Sequence, residues 1–256
     1  MTCVRSCPRR TFRHSRHKEQ FLIIIAEIGI NHNGSVHLAH ELIRQAKAGG
    51  ADIAKFQFYD PYKVFGPDGT YPDPEALTQA LPVQFGFNQA AQLKTWCEQE
   101  GIEFMASVFD LERFKWMESL GVSRHKVASR VVQDQELCEH ILATGLETFI
   151  SLGFWDGPGV PYQCSNARYL YCVPTYPCPY EDIFLPQEFT DSIYEGFSDH
   201  TIGIEAALVA VGRGARIIEK HFTLNKGLSG PDHICSATPD ELVELVRLAR
   251  LMEKFD

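Results

Sequence analysis

The chain lacks any apolar stretch of membrane-spanning length. Runs such as Phe21 to Ala26 stop after a few residues, here at Glu27, whereas a spanning helix needs roughly 20. Basic charge is also scarce. With 24 Lys and Arg against 33 Asp and Glu the net charge is −9, the wrong sign for a nucleic-acid surface, although a few focused lysines still suit a small anion. The eight cysteines form no Cys-x-x-Cys pair, and Cys97 and Cys138 fall inside helical patterns, where cysteine acts as a small hydrophobe. We expect no disulfide framework and a reducing, cytoplasmic compartment.

What is present divides into a short basic segment and one long alternating one. Arg5, Arg9, Arg10, Arg13, Arg16 and Lys18 precede the first acid, Glu19. An Arg/Ser-rich, acid-poor start without an apolar core reads as a disordered tail at 1–20, or equally as an organelle targeting segment. From residue 21 onward, short β-rich apolar runs alternate with amphipathic helical stretches, as in βα units around a parallel sheet. Strands are expected to end near Glu27, Phe58, Val108, Ala128, Leu152, Val173, His200 and His221. Eight strands favour an α/β (β/α)₈ TIM barrel filling 21–256 as one domain.

Helices are predicted over 37–47, 89–100, 111–120, 135–144, 204–212 and 239–254, with glycine stops at Gly49, Gly101 and Gly121 and a Thr238-Pro239 start. The segment 153–166 holds Gly157, Pro158, Gly159 and Pro161 and no 3.6-residue period, so the helix between strands five and six is expected to be missing. The segment 60–86, rich in Gly, Pro and Tyr, reads as a long loop, either a lid over the catalytic face or a plain excursion.

Parallel α/β folds keep their chemistry at the carboxyl ends of the strands. Two histidines, His200 and His221, stand there on adjacent strands, and neutral imidazoles so placed can share a divalent metal. Glu27 closes an apolar strand, where an unpaired carboxylate is costly. Lys55, Lys126, Ser107, Ser129 and Ser151 reach the same rim. Ammonium groups with hydroxyl donors suit a phosphate and a carboxylate. A structural account also exists: the serines satisfy strand-end carbonyls and Lys55 pairs with Glu27.

The ordered set Ala26-Glu27-Ile28-Gly29 with Asn31-His32-x-Gly34, Lys55-x-Gln57, Lys126-x-x-Ser129, Tyr176-Pro177, Ser198-Asp199-His200-Thr201, Glu219-x-His221-Phe222-Thr223 and Gly230-Pro231-Asp232 resembles the sialic acid (N-acetylneuraminate) synthase family. That resemblance implies a TIM-barrel transferase of carbohydrate biosynthesis. Such an enzyme condenses phosphoenolpyruvate with a sugar aldehyde such as N-acetylmannosamine to give a nonulosonic acid and phosphate. It implies a divalent metal, manganese first, with magnesium or cobalt as alternatives, on His200 and His221. It also implies phosphoenolpyruvate contacts from Lys55, Lys126, Ser129, Ser151 and Ser198. Gln57, Ser107 and Asp232 fall among the substrate-binding positions, and Glu27, Glu219 and Tyr176 are the catalytic candidates.

Three positions depart from the family pattern. Arg130-Val131 replaces a Gly-Glu pair whose glutamate is a favoured acid/base, Val108 replaces a threonine, and Pro174 replaces an asparagine. The family's antifreeze-like C-terminal domain is not expected, so the implied partner is a second copy or a complete synthase. Two alternatives follow from these departures: a metal-dependent aldolase or lyase on another sugar acid, or a degenerate non-catalytic barrel that binds a ligand or assembles with an active enzyme.

Overall fold

Alternation with period two sorts every strand into an inward and an outward face, and this sorting builds the molecule. The computed structural model describes residues 22–255, and the basic segment 1–20 lies outside them. Strands β1 (Ile23–Gly29), β2 (Ile53–Phe58), β3 (Glu103–Val108), β4 (His125–Val127), β5 (Thr148–Ser151), β6 (Ala167–Cys172), β7 (Gly196–Asp199) and β8 (Ile217–His221) pair in parallel and in sequence order, and β8 closes on β1. The chain therefore folds as a (β/α)₈ barrel.

Ile25, Ile53, Met105, Phe149, Leu170 and Ile217 point inward and pack into one apolar layer. Their outward neighbours, among them Ile24, Ala54, Phe104, Ile150, Tyr169 and Ile218, join the larger core beneath the helices. Two residues beyond the apolar layer, the same strands carry Glu27, Lys55, Ser107, Ser151, Cys172 and Glu219, all buried. One alternation step thus converts a hydrophobic plug into a polar floor. Strand β7 has no side chain in the lower layer, because a Cβ on Gly196 would lie 2.2 Å from the Ile217 carbonyl oxygen.

The helices are α1 (Val36–Ala48), α2 (Pro61–Phe65), α3 (Pro74–Ala80), α4 (Phe87–Glu100), α5 (Leu111–Leu120), α6 (Gln135–Ala143), α7 (Glu205–Gly212) and α8 (Pro239–Met252). Their starts carry local caps: Ser35, Asp110 and Asp134 accept backbone amides, and Thr238 with Glu241 forms a reciprocal capping box, as expected for these residue types.

The expected gap after β5 is present: no α-helix separates Ser151 from Ala167. Trp155, Val160 and Tyr162 cover the wall instead, and the Tyr162 hydroxyl donates to the Val132 carbonyl at 2.8 Å. Two corrections apply to the connections. The stretch between β6 and β7 also lacks an α-helix and carries only the 3₁₀ turns Tyr180–Asp182 and Phe189–Asp191, with Phe189 buried as its anchor. The segment 60–86 is not a plain loop, since α2 and α3 lie within it. Each starts with an aspartate cap followed by proline, Asp60-Pro61 and Asp73-Pro74, a signal that outweighs the local glycines.

Candidate active site

Strand register brings the polar residues together. Glu27 lies opposite both Lys55 and His221, Ser107 opposite both Gln57 and Lys126, and Ser198 opposite Glu219. A bulge at the end of β1 shifts the pairing between Glu27 and Gly29. Gly29 takes φ +54°, and a Cβ there would crowd Gln57 Nε2 and Glu27 Oε1, so only glycine lets the chain turn away above the floor.

Four buried charges organise this floor. Lys55 Nζ lies 2.8 Å from Glu27 Oε2 and 3.4 Å from Glu219 Oε2, and Lys126 Nζ lies 3.8 Å from Glu219 Oε1. Gln57 Nε2 donates to Glu27 Oε1 at 2.7 Å, and Ser198 Oγ donates to Glu219 Oε1 at 2.7 Å. The lysines donate to serines, Lys55 to Ser107 Oγ at 3.1 Å and Lys126 to Ser151 Oγ at 2.7 Å. Those two hydroxyls therefore keep their own protons for a ligand.

Burial and pairing set the charge states. Burial raises the Glu219 carboxyl, but Lys126, Lys55 and the Ser198 hydrogen bond outweigh it and hold the group at about 2. Burial raises Glu27 and outweighs the opposing pull of Lys55. For Lys55 the order reverses: burial lowers it, while Glu219 and Glu27 raise it above its ordinary value. Lys126 is left lowered by burial, which Glu219 offsets only in part.

The two histidines converge beside this floor with ring centroids 5.5 Å apart. Burial lowers His200 to about 4 and, with the adjacent His200, takes His221 well below its ordinary value. Both are neutral, the state in which imidazole binds metal. His200 Nδ1 meets the Val173 carbonyl at 2.7 Å, which places its proton on Nδ1 and leaves Nε2 as a lone pair. His221 Nδ1 is buried without a hydrogen-bond partner, 3.8 Å from Asp232 Oδ2. Burial, then Glu27, raises the Asp232 carboxyl to about 7. The Tyr176 ring sits 4.0 Å from His200 and 5.7 Å, edge-on, from His221.

The thirteen residues singled out from the sequence divide between this floor and its rim. Ser129 is on the rim, in a 3₁₀ turn after β4, where its oxygen accepts the Phe154 amide at 2.7 Å. Cys172 was missed: its Sγ lies 4.0 Å from His200 Nδ1, and burial pushes its thiol up to about 12. Counting two residues on from the inward Leu170 would have found it. A supporting network was missed too, in which Asn31 Nδ2 donates to the Phe222 carbonyl and Ser236 Oγ, and His233 joins Thr223 to Asn33. It ties the loop after β1 to the loop after β8. Among the described residues no cluster of three or more His, Cys, Asp or Glu has metal-binding geometry.

Known proteins share this arrangement of sequence and fold. N,N'-diacetyllegionaminic acid synthase of Legionella pneumophila is 35% identical over 252 residues, 89% of this chain and 71% of that protein. Human N-acetylneuraminate-9-phosphate synthase is 34% identical over 251 residues, 90% of this chain and 70% of that one. The crystal structure of N-acetylneuraminic acid synthetase from Leptospira borgpetersenii superposes with a TM-score of 0.81 at 31% identity, covering 92% of this chain and 85% of that one. The NeuB family model matches residues 42–256. With its closed barrel and these relatives, the chain belongs to the NeuB family.

Proposed function

We propose that this barrel condenses phosphoenolpyruvate with an N-acylated sugar aldehyde to give a nonulosonic acid and inorganic phosphate. The observation that carries the reading is the floor itself, where two buried ammonium groups and three hydroxyls lie beside two neutral imidazoles. Lys55 and Lys126, with the free hydroxyl protons of Ser107 and Ser151, suit the phosphate and carboxylate of phosphoenolpyruvate. Fixed donors of this kind stabilise charge on a departing phosphate without reorganising.

The charge balance favours a cation. Glu27 and Glu219 already cancel Lys55 and Lys126, so a bound trianion leaves the floor short of positive charge. His200 with its free Nε2 and His221 with its orphaned Nδ1 are the residues that would hold a divalent ion, manganese first. When bound, that ion supplies Lewis acidity to the aldehyde oxygen.

The chain's own residues do the rest. The cradle orients the enol phosphate so that its C3 forms the new bond to the aldehyde carbon, while the carbonyl oxygen takes up a proton. Water then adds at C2 and the C–O bond to phosphate breaks. Glu27 and Glu219 are the carboxylates in reach to orient or deprotonate that water. Glu27 is the better base because burial leaves it raised, whereas Glu219 is held down by its lysines. Tyr176 roofs the imidazoles, and Gln57 and Asp232 line the acceptor side.

The test is phosphate release by the full chain with phosphoenolpyruvate, manganese and a panel of N-acylated hexosamines and plain aldoses, with His200→Ala alongside. Release that depends on both the aldehyde and His200 is the expected result. A folded protein that binds phosphoenolpyruvate and manganese but releases nothing with any acceptor would sink the reading.

A further inference from the structure

Each of the two imidazoles is preceded in the chain by one member of a buried ion pair. Asp199 and Lys220 lie opposite each other in the β7–β8 pairing. Both side chains are wholly buried, with Lys220 Nζ 3.1 Å from Asp199 Oδ2. Alternation points them away from the floor that Ser198 and Glu219 line, toward the layer beneath the helices. The condensation chemistry makes no use of them.

The pair is tied into the backbone around both histidines. Asp199 Oδ1 accepts the Thr201 amide at 2.8 Å, and Lys220 Nζ donates to the Thr201 carbonyl at 2.5 Å. The turn that carries His200 is thus held from β7 on one side and from β8 on the other. The outer sides of the two histidines are pinned as well: the His200 carbonyl accepts the Cys178 amide at 2.9 Å, from the loop after β6, and the His221 carbonyl accepts the Ala237 amide at 2.6 Å, from the loop after β8. Between the two strands themselves, the Asp199–Lys220 pair ties the outer face as the Ser198–Glu219 hydrogen bond ties the inner one. A buried ion pair adds little stability over an apolar pair of similar volume, because desolvation offsets its attraction. It does enforce one geometry, since either charge that moves off is left unpaired inside the protein.

We propose that Asp199 and Lys220 are positioning residues that set the separation and angle of the His200 and His221 rings, and through them the affinity of the imidazole pair for a divalent ion. The geometry they hold is a centroid distance of 5.5 Å and an interplanar angle of 55°. The inference rests on the reading of His200 and His221 as the groups that would hold the ion.

The experiment uses the full chain and Asp199→Asn/Lys220→Met. That double variant removes both charges, so neither is orphaned, and keeps an oxygen for the Thr201 amide. Asp199→Asn/Lys220→Leu repeats it with a different apolar filling. Manganese binding is measured by calorimetry with His200→Ala as the control, the ring signals of the histidines by NMR on the metal-free protein, and the fold by thermal unfolding. The expected double variant melts close to the parent and binds manganese about 10- to 100-fold more weakly, the range for losing groups that orient metal-binding imidazoles. Its His200 and His221 ring signals shift, while those of His32 and His125, buried elsewhere, do not. Parental manganese affinity, or unchanged His200 and His221 signals, overturns the proposal. So does movement of the His32 and His125 signals, which would mean general loosening, or failure of both double variants to fold, which would make the pair part of the fold at large. A parent that binds no manganese, or binds it equally as His200→Ala, defeats the metal reading instead. In that case the ring signals decide: a shift confined to His200 and His221 upholds positioning by the ion pair, and its absence refutes it.

Discussion

Glu219→Gln removes one charge from a floor whose charges otherwise balance. Glu219 lies 3.4 Å from Lys55 Nζ and 3.8 Å from Lys126 Nζ, and at an effective dielectric of about 20 each contact is an attraction of about 4 to 5 kcal/mol. Lys55 keeps Glu27 at 2.8 Å, but Lys126 has no other carboxylate within ion-pair reach among the described residues. Two effects offset the loss: the amide escapes the carboxylate's desolvation cost, and it still accepts the Ser198 hydroxyl. The net destabilisation is about 3 kcal/mol, the lower end for breaking a buried pair. For a domain of this size that lowers Tm by about 6 to 12 °C. Thermal and urea unfolding of Glu219→Gln, Lys126→Met and the double variant test this, with a coupling between the two sites of about 1 kcal/mol or more. A Glu219→Gln protein within about 1 °C of the parent, with additive single effects, refutes the claim that this carboxylate holds the floor together.

Two further predictions concern the frame around the site. His32, stacked on Phe85, is held by burial at about 4 against an ordinary value of about 6.5. The unfolded chain therefore binds the extra proton between those values, and stability is full above pH 6.5 and falls by about 3 kcal/mol as pH drops to 4. His32→Asn, whose amide oxygen can still accept the Gly34 amide, should flatten the ΔG-against-pH curve in that window, and an unchanged slope rules this account out. Gly196→Ala places a Cβ 2.2 Å from backbone oxygen, so it should destabilise by more than about 4 kcal/mol and leave little folded protein by circular dichroism. A parental melting curve would show that β7 can shift away from β8.

The barrel was legible in the sequence because its period-two strands and capped helices are local patterns. All eight expected strand ends fall within two residues of the observed ones, and the glycine- and proline-rich stretch after β5 announced its missing helix. The helices α2 and α3 were hidden because each spans only two turns or fewer, too short for a 3.6-residue period to emerge, although their Asp-Pro starts are plain in retrospect. The helix-free connection after β6 holds Pro174, Pro177, Pro179 and Pro186, a breaker pattern of the same kind as the one after β5.

The sequence by itself determined which residues stand at the strand ends: Glu27, Lys55, Ser107, Lys126, Ser151, His200 and His221 are placed there by alternation and strand length alone. Only the tertiary structure decided what those groups do to one another. Barrel closure pairs β8 with β1 and sets His221 and Glu219 beside residues almost two hundred positions earlier, so Glu219 becomes the shared counter-ion of two lysines. Closure also adds Cys172 to the floor. Ionisation and pairing depend on distance and burial, and both are set by long-range packing that no local pattern encodes.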